Sequence, residues 1–206
     1  MRMKKLCHIF LAAVMLWGCN QEAEDITLTQ MNRIASFLSS NHTPRLIDEA
    51  NLGDYMDDDN LPQFYTVFGR ASFRYIANYY DSGRDSRREA VRGSRLTVTY
   101  SAYNFSDYRV PTISQLYATN DTSLREQMEA AGWTLDENPF FTFEPLTVTL
   151  GRGDIISGVD AALAGCREGD KVEIYCTSSR AYGDKLIGIL PADTPVCWYI
   201  TIDEIE

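Results

Sequence analysis

Residues 146–206 read LTVTLGRGDIISGVDAALAGCREGDKVEIYCTSSRAYGDKLIGILPADTPVCWYITIDEIE. Three runs in this stretch, Leu146 to Leu150, Lys171 to Cys176 and Val196 to Ile202, are β-branched and apolar with side chains that alternate along the chain. A period of two is the mark of a strand with one buried face. Between the first two runs, Gly158 to Cys166 (GVDAALAGC) reads as a short helix that stops near Gly165, because glycine accepts the left-handed conformation that closes helices. Several short strands and one short helix predict an α+β domain, a sheet of antiparallel strands with that helix laid against it.

Working upstream, Ser94 to Tyr100 (SRLTVTY) places Leu96, Val98 and Tyr100 on one face and adds another half-buried strand. Ser123 to Ala131 reads as helix capped by Gly132. Phe64 to Tyr80 is aromatic and β-branched, which favours strand, and Asp81-Ser82-Gly83 ends it. Ser39 to Leu61 is polar and reads as loop with room for a short helix. Ile26 to Leu38 sets Met31, Ile34, Ala35 and Leu38 on one helical stripe. The fold so far is a sheet domain with an N-terminal helical and loop extension.

The chain of 206 residues carries a net charge of −10 and 45% hydrophobic residues. That composition forms a core of ordinary size. The acidic balance argues against nucleic acid as a partner, since a phosphate backbone requires a basic face. Asp57-Asp58-Asp59 lacks the spaced oxygen ligands and glycine of a calcium loop and reads as a solvated turn. No Cys/His spacing points to a metal, and no cofactor motif appears. Strand parity also speaks to the cysteines. With Val196, Trp198 and Ile200 inward, Cys197 points outward, whereas Cys176 points inward with Val172 and Ile174. Cys176 and Cys197 should therefore not pair.

At the other end, Arg2, Lys4 and Lys5 precede an apolar run from Leu6 to Trp17 that is too short to span a bilayer core. This is the pattern of an export signal. The run meets Leu16-Trp17-Gly18-Cys19, which resembles the lipobox of bacterial lipoproteins, with Trp17 departing from the small residue usual there. The resemblance implies cleavage after residue 18 and acylation of Cys19, hence a lipid bilayer as partner and a place in the cell envelope, at the outer membrane. The alternative is an ordinary signal peptide that happens to hold a cysteine. The acidic stretch Asn20–Asp25 (NQEAED) reads as a tether, and it loosely resembles the surface-export signals of Bacteroidetes lipoproteins. The expected division is a signal peptide over 1–18, tether and extension over 19–70, and the sheet domain over 71–206.

The motif order in the opening stretch names a family. Leu150-Gly151, Asp154-Ile155-Ile156-Ser157-Gly158, Ala164-Gly165 with Gly169-Asp170-Lys171, Ala181-Tyr182-Gly183, Gly188-Ile189-Leu190-Pro191 and the closing strand Val196 to Ile202 follow one another. This sequence of motifs resembles FKBP-type peptidyl-prolyl cis–trans isomerase domains. The resemblance is thinner upstream, where Leu116-Tyr117-Ala118-Thr119-Asn120 is similar to the family's Phe-Asp-Ser segment. It implies isomerisation of X–Pro bonds in exported, proline-containing polypeptides by an apolar pocket without cofactor or metal. Tyr182 would offer its hydroxyl to the substrate carbonyl and the Ile156 backbone N–H would bind the substrate backbone. Tyr100, Tyr117, Leu146, Ile155, Val159, Ile189 and Trp198 would line the pocket.

Two positions depart from the family. Ala118 stands in place of the pocket aspartate and Val159 in place of the tryptophan floor. Trp198, where the family has phenylalanine, can refill part of that volume. These departures keep open a peptide-binding or chaperone module without useful turnover, and the acidic Asn20–Asp59 region, as a docking arm, keeps open an accessory subunit of an envelope complex. Arg152-Gly153-Asp154 spells an adhesion tripeptide but falls in a strand-to-helix turn that the family expects.

Overall fold

The computed structural model describes residues 23–57, 61–69, 71–135 and 138–206. The signal segment, Cys19 and most of the acidic triplet lie outside the described residues. Eight strands form one sheet: β1 (Ile47–Asp48), β2 (Phe64–Phe68), β3 (Ser72–Ile76), β4 (Arg95–Asn104), β5 (Leu116–Thr119), β6 (Leu146–Thr149), β7 (Lys171–Cys176) and β8 (Val196–Ile205). Their order is β1-β2-β3-β7-β8-β4-β5, with β6 also paired to β4. Every pairing is antiparallel except β1 with β2, which is parallel. The architecture is the α+β one expected: a mixed, mostly antiparallel sheet around a short helix, with an N-terminal helical extension.

The aromatic run 64–80 is a hairpin rather than one strand. Gly69 adopts φ +55, a conformation that costs glycine nothing, and β2 turns back into β3 with Val67 opposite Phe73. The boundary expected after residue 70 therefore falls between two paired strands, and the short β1 and β2 belong to the same sheet as the rest.

The short helix α3 (Ser157–Leu163) buries Gly158, Val159, Ala162 and Leu163 against the sheet. The fit is close: a Cβ on Gly158 would lie 2.4 Å from the Cys176 sulfur and 2.7 Å from the Ser72 Oγ. The exposed carbonyls at the end of α3 are satisfied by Arg74 of β3, whose guanidinium donates to the carbonyls of Ala162 and Ala164 at 2.8 Å each. A positive charge there also complements the helix dipole. The core on this face includes Leu96, Val98, Val148, Val172, Ile174, Cys176, Ile200 and Ile202.

A second core lies on the opposite face. Residues 23–36 form helix α1, which runs on into a wider turn over Phe37–Asn41. The expected stripe is present: Ile34 and Leu38 are buried, with Met31 and Ala35 packed at its edge and Phe37 added. These side chains cover Tyr65, Phe73, Tyr75, Tyr175 and Cys197 of the sheet. Residues 23–25, read as tether, are the first turn of α1. The cysteine parity holds, with Cys176 in the α3-side core, Cys197 in the α1-side core and both thiols free. Cys197 points away from α3 but is buried, because α1 roofs that face.

The third helix, α2 (Arg125–Ala130), ends at Gly132 with φ +82 as expected. It buries Met128 in a smaller cluster with Tyr103, Leu116, Leu135 and Phe141. Among the described residues no helix is long and apolar enough to cross a membrane.

Candidate functional site

The chain enters α3 through Ile155 and Ile156. Ile156 is the N-cap residue, with φ −55 and ψ 141, so its N–H sits where the first turn leaves amides without intrahelical partners. Both isoleucines are half-buried and pack on the α3-side core together with Tyr100, Leu146 and Tyr182. Beneath them Tyr117, Val159 and Trp198 are buried in the same cluster. Eight of the nine residues expected from the sequence thus belong to one apolar cluster between the sheet and the start of α3.

The ninth does not. Ile189 is 63% exposed. Ile187 and Leu190 exchange backbone hydrogen bonds of 3.0 and 2.8 Å, which turns residues 188 and 189 outward. Ile187 takes the position on the apolar wall, alongside Phe140 from the segment after α2. Gly188, at φ +55, lets Phe140 approach so closely that a Cβ there would meet its ring at 2.8 Å.

The polar atoms of the cluster form a line. The Trp198 indole N–H donates to the Tyr117 hydroxyl at 2.8 Å. Tyr117 donates in turn to the Tyr182 hydroxyl over a longer 3.4 Å. The Tyr182 oxygen is thereby an acceptor from within, and its own proton is free to be donated elsewhere. The Tyr117 ring meets the Tyr182 ring edge-on at 6.0 Å, and Trp198 stacks on Tyr100 at 4.8 Å, arrangements that aromatic quadrupoles favour. Burial raises all three phenols: Tyr100 to about 12, Tyr117 well above its ordinary value, and Tyr182 in the same direction, offset in part by its bond to Tyr117. Each is therefore a neutral donor throughout the physiological range.

Two residues position this site without having been singled out in the sequence. Asn120 is buried at the end of β5. Its amide donates to the carbonyls of Val98 and Glu144, and its oxygen accepts the Tyr100 N–H at 2.6 Å. The signal was a lone amide closing the buried run LYATN. Gln30 on α1 bonds the segment that carries Tyr182 and could not be anticipated from the chain. Ala118, at the expected aspartate position, is buried in β5 opposite Ala102 and supplies no polar group. The Arg152-Gly153-Asp154 tripeptide has a structural use, since the Asp154 carboxylate accepts the Thr149 N–H at 2.9 Å across the turn.

Comparison with known proteins agrees with the motif order. Residues 120–203 match the family model of FKBP-type peptidyl-prolyl cis-trans isomerases. FK506-binding protein 1A of Neurospora crassa is 38% identical over 52 residues, which is 25% of this chain and 43% of that protein. The chain thus matches less than half the length of this curated relative. A crystal structure of the three FKBP domains of wheat FKBP73 is similar over 70% of this chain and 51% of that one, at 12% identity and a TM-score of 0.49. The matched family segment contains Leu146, Ile155, Ile156, Val159, Tyr182 and Trp198, whereas Tyr100 and Tyr117 lie upstream of it and are joined to the site by the geometry alone.

Proposed function

We propose that this chain is a peptidyl-prolyl cis–trans isomerase of the FKBP type that acts on proline-containing segments of exported proteins. The observation that carries the reading is the donor line Trp198–Tyr117–Tyr182, which runs from the buried core to the half-buried Tyr182. Rotation about a peptide bond faces a barrier of about 18–20 kcal/mol because the planar amide is conjugated and charge-separated. The twisted amide is less polar, so an apolar wall of Ile155, Ile156, Leu146 and Tyr100 favours it over the planar form. A hydrogen bond placed for the twisted geometry adds selective stabilisation of the transition state. In this reading Tyr182 donates to the substrate carbonyl and the Ile156 N–H orients the preceding backbone. The Tyr117 hydroxyl, bonded from behind by Trp198, does the orienting that a carboxylate at position 118 does in the family. No proton is transferred and no covalent bond forms, so the phenols need only remain protonated.

The test is a protease-coupled proline isomerisation assay. Wild type should accelerate isomerisation and Tyr182→Phe should lose about tenfold in kcat/KM, the worth of roughly 1.4 kcal/mol of hydrogen bonding. A wild-type rate equal to buffer removes the enzyme reading. In that case the second reading, a peptide-holding module, takes its place, and it is favoured by Ala118 and by Leu186 and Ile189, 71% and 63% exposed.

The same proposal puts the protein on an envelope membrane through acylated Cys19. Several acyl chains at about 0.8 kcal/mol per buried CH₂ anchor stably. Radiolabelled palmitate should be incorporated by wild type and not by Cys19→Ala, and label on neither would remove the anchor.

A further inference from the structure

Tyr182 sits on the segment between β7 and β8, and the backbone of that segment closes on itself. The Gly183 N–H donates to the Ser178 carbonyl at 2.8 Å, and the Asp193 N–H donates to the Gly183 carbonyl at 2.8 Å. The ring is completed from the far side of the sheet. The Gln30 side-chain oxygen accepts the Ser178 N–H at 2.7 Å, and its amide donates to the Asp193 carbonyl at 2.8 Å. Gln30 is only 6% exposed, so both of its bonds are shielded from competing water. Asp193 has φ +53, a conformation that L-residues hold only where their surroundings enforce it. The Gln30 amide is one such constraint, acting on the Asp193 carbonyl.

We propose that Gln30 is a positioning residue for Tyr182: it closes a hydrogen-bonded ring through Ser178, Gly183 and Asp193 that fixes the backbone next to the tyrosine. The N-terminal extension is then part of the isomerase site, although it contributes no wall to it. The effect on turnover rests on the isomerase reading, but the ring itself does not.

Two readouts on the full chain separate them. Hydrogen exchange of segment 178–193, followed by mass spectrometry, reports the ring. In Gln30→Ala it should quicken at least about tenfold while the neighbouring strand 171–176 exchanges as in wild type. Gln30→Glu keeps the acceptor for Ser178 and loses the donor to Asp193, so its exchange should fall between the two. Turnover reports the consequence: kcat should drop roughly tenfold in Gln30→Ala, since small displacements of a positioned group are costly. Ile34→Ala, on the same helix and in the α1-side core, should lower thermal stability yet leave kcat per folded molecule unchanged. Unaltered exchange in Gln30→Ala overturns the ring. An Ile34→Ala variant with the same kcat loss at equal folded fraction overturns the positioning role and leaves α1 a merely stabilising element. If wild type shows no turnover, the isomerase reading fails while the exchange result still decides the ring.

Discussion

The two faces of the sheet do different jobs with the same strands. Towards α3, β7 presents Val172, Ile174 and Cys176, and β8 presents Val196, Trp198 and Ile200. Towards α1 the alternate residues Tyr175 and Cys197 are buried, with Tyr199 at the edge. The α3 face carries a rim of half-buried side chains, Ile155, Ile156, Leu146 and Tyr182, over its buried core, whereas the α1 face is an aromatic core that includes Phe37 and Phe105. The face proposed to receive a substrate is thus backed by a second, aromatic core. The lesson is that rigidity can be supplied from behind, by residues that never approach the substrate.

That contrast can be broken most directly at its aromatic side. Phe37→Ala should cost about 3–5 kcal/mol, the usual penalty for emptying a buried aromatic site, with sheet and helix lost in one urea transition. A loss below about 1 kcal/mol, or a separate early transition, would make α1 an appendage rather than a wall. On the α3 side the expected cost is smaller. Val159→Trp should overpack the floor by about 1–3 kcal/mol, and adding Trp198→Phe should return at least about 1 kcal/mol of it, less what the lost bond to Tyr117 withholds. A double-mutant cycle without coupling would show that the two side chains do not share one volume.

Acidity sharpens the comparison further. His42, just after α1, bonds Glu173 of β7 at 2.8 Å. Its burial disfavours the charged ring, yet the Glu173 bond and charge outweigh burial and the imidazole is raised above 6.5. A raised group stabilises the fold fully below its unfolded value, and that contribution is lost as pH rises through its folded value. Stability should therefore decline as pH rises from the ordinary imidazole range through the raised folded value, and His42→Gln should flatten the decline. An unchanged slope in that variant would place the titration elsewhere. The smallest expected effect is none at all. Burial raises Cys166 to about 11 and Cys176 to about 12, and Cys197 rises as well, so a thiol reagent at about pH 8 should label none of the three in the native protein. Reaction at Cys197 alone would mean that the α1 roof opens.

The α3 face was legible in the chain because its pieces are local. Glycine-bounded turns, the GVDAALAG helix and the ordered motifs lie within residues 146–206, and they pointed to Ile155, Ile156, Val159, Tyr182 and Trp198, which the fold packs into one cluster. The α1 face was half legible. The stripe Met31, Ile34, Ala35, Leu38 showed a helix with one apolar side, but nothing in the sequence said which surface it would cover. In β7 and β8 the run of apolar residues on both parities was the missed sign, since strands buried on both faces lose their alternation. Ile189 was misplaced because the pairing of Ile187 with Leu190, which reverses the inward residue, depends on Phe140 arriving from a distant segment. Gln30 was invisible, and the partners of Asn120 were too, for the same reason: an amide declares no partner until the backbone groups it satisfies are brought to it.

Gly158 is where the seat of the helix is set by something missing. Because that residue has no side chain, α3 settles with its own backbone against Cys176 and Ser72, and the two isoleucines that lead into it are lowered with it. Any larger residue would act as a shim under the helix, lifting Ile155 and Ile156 away from the sheet while their own side chains remained unchanged. How low the helix rides is thus governed by one hydrogen atom on its underside.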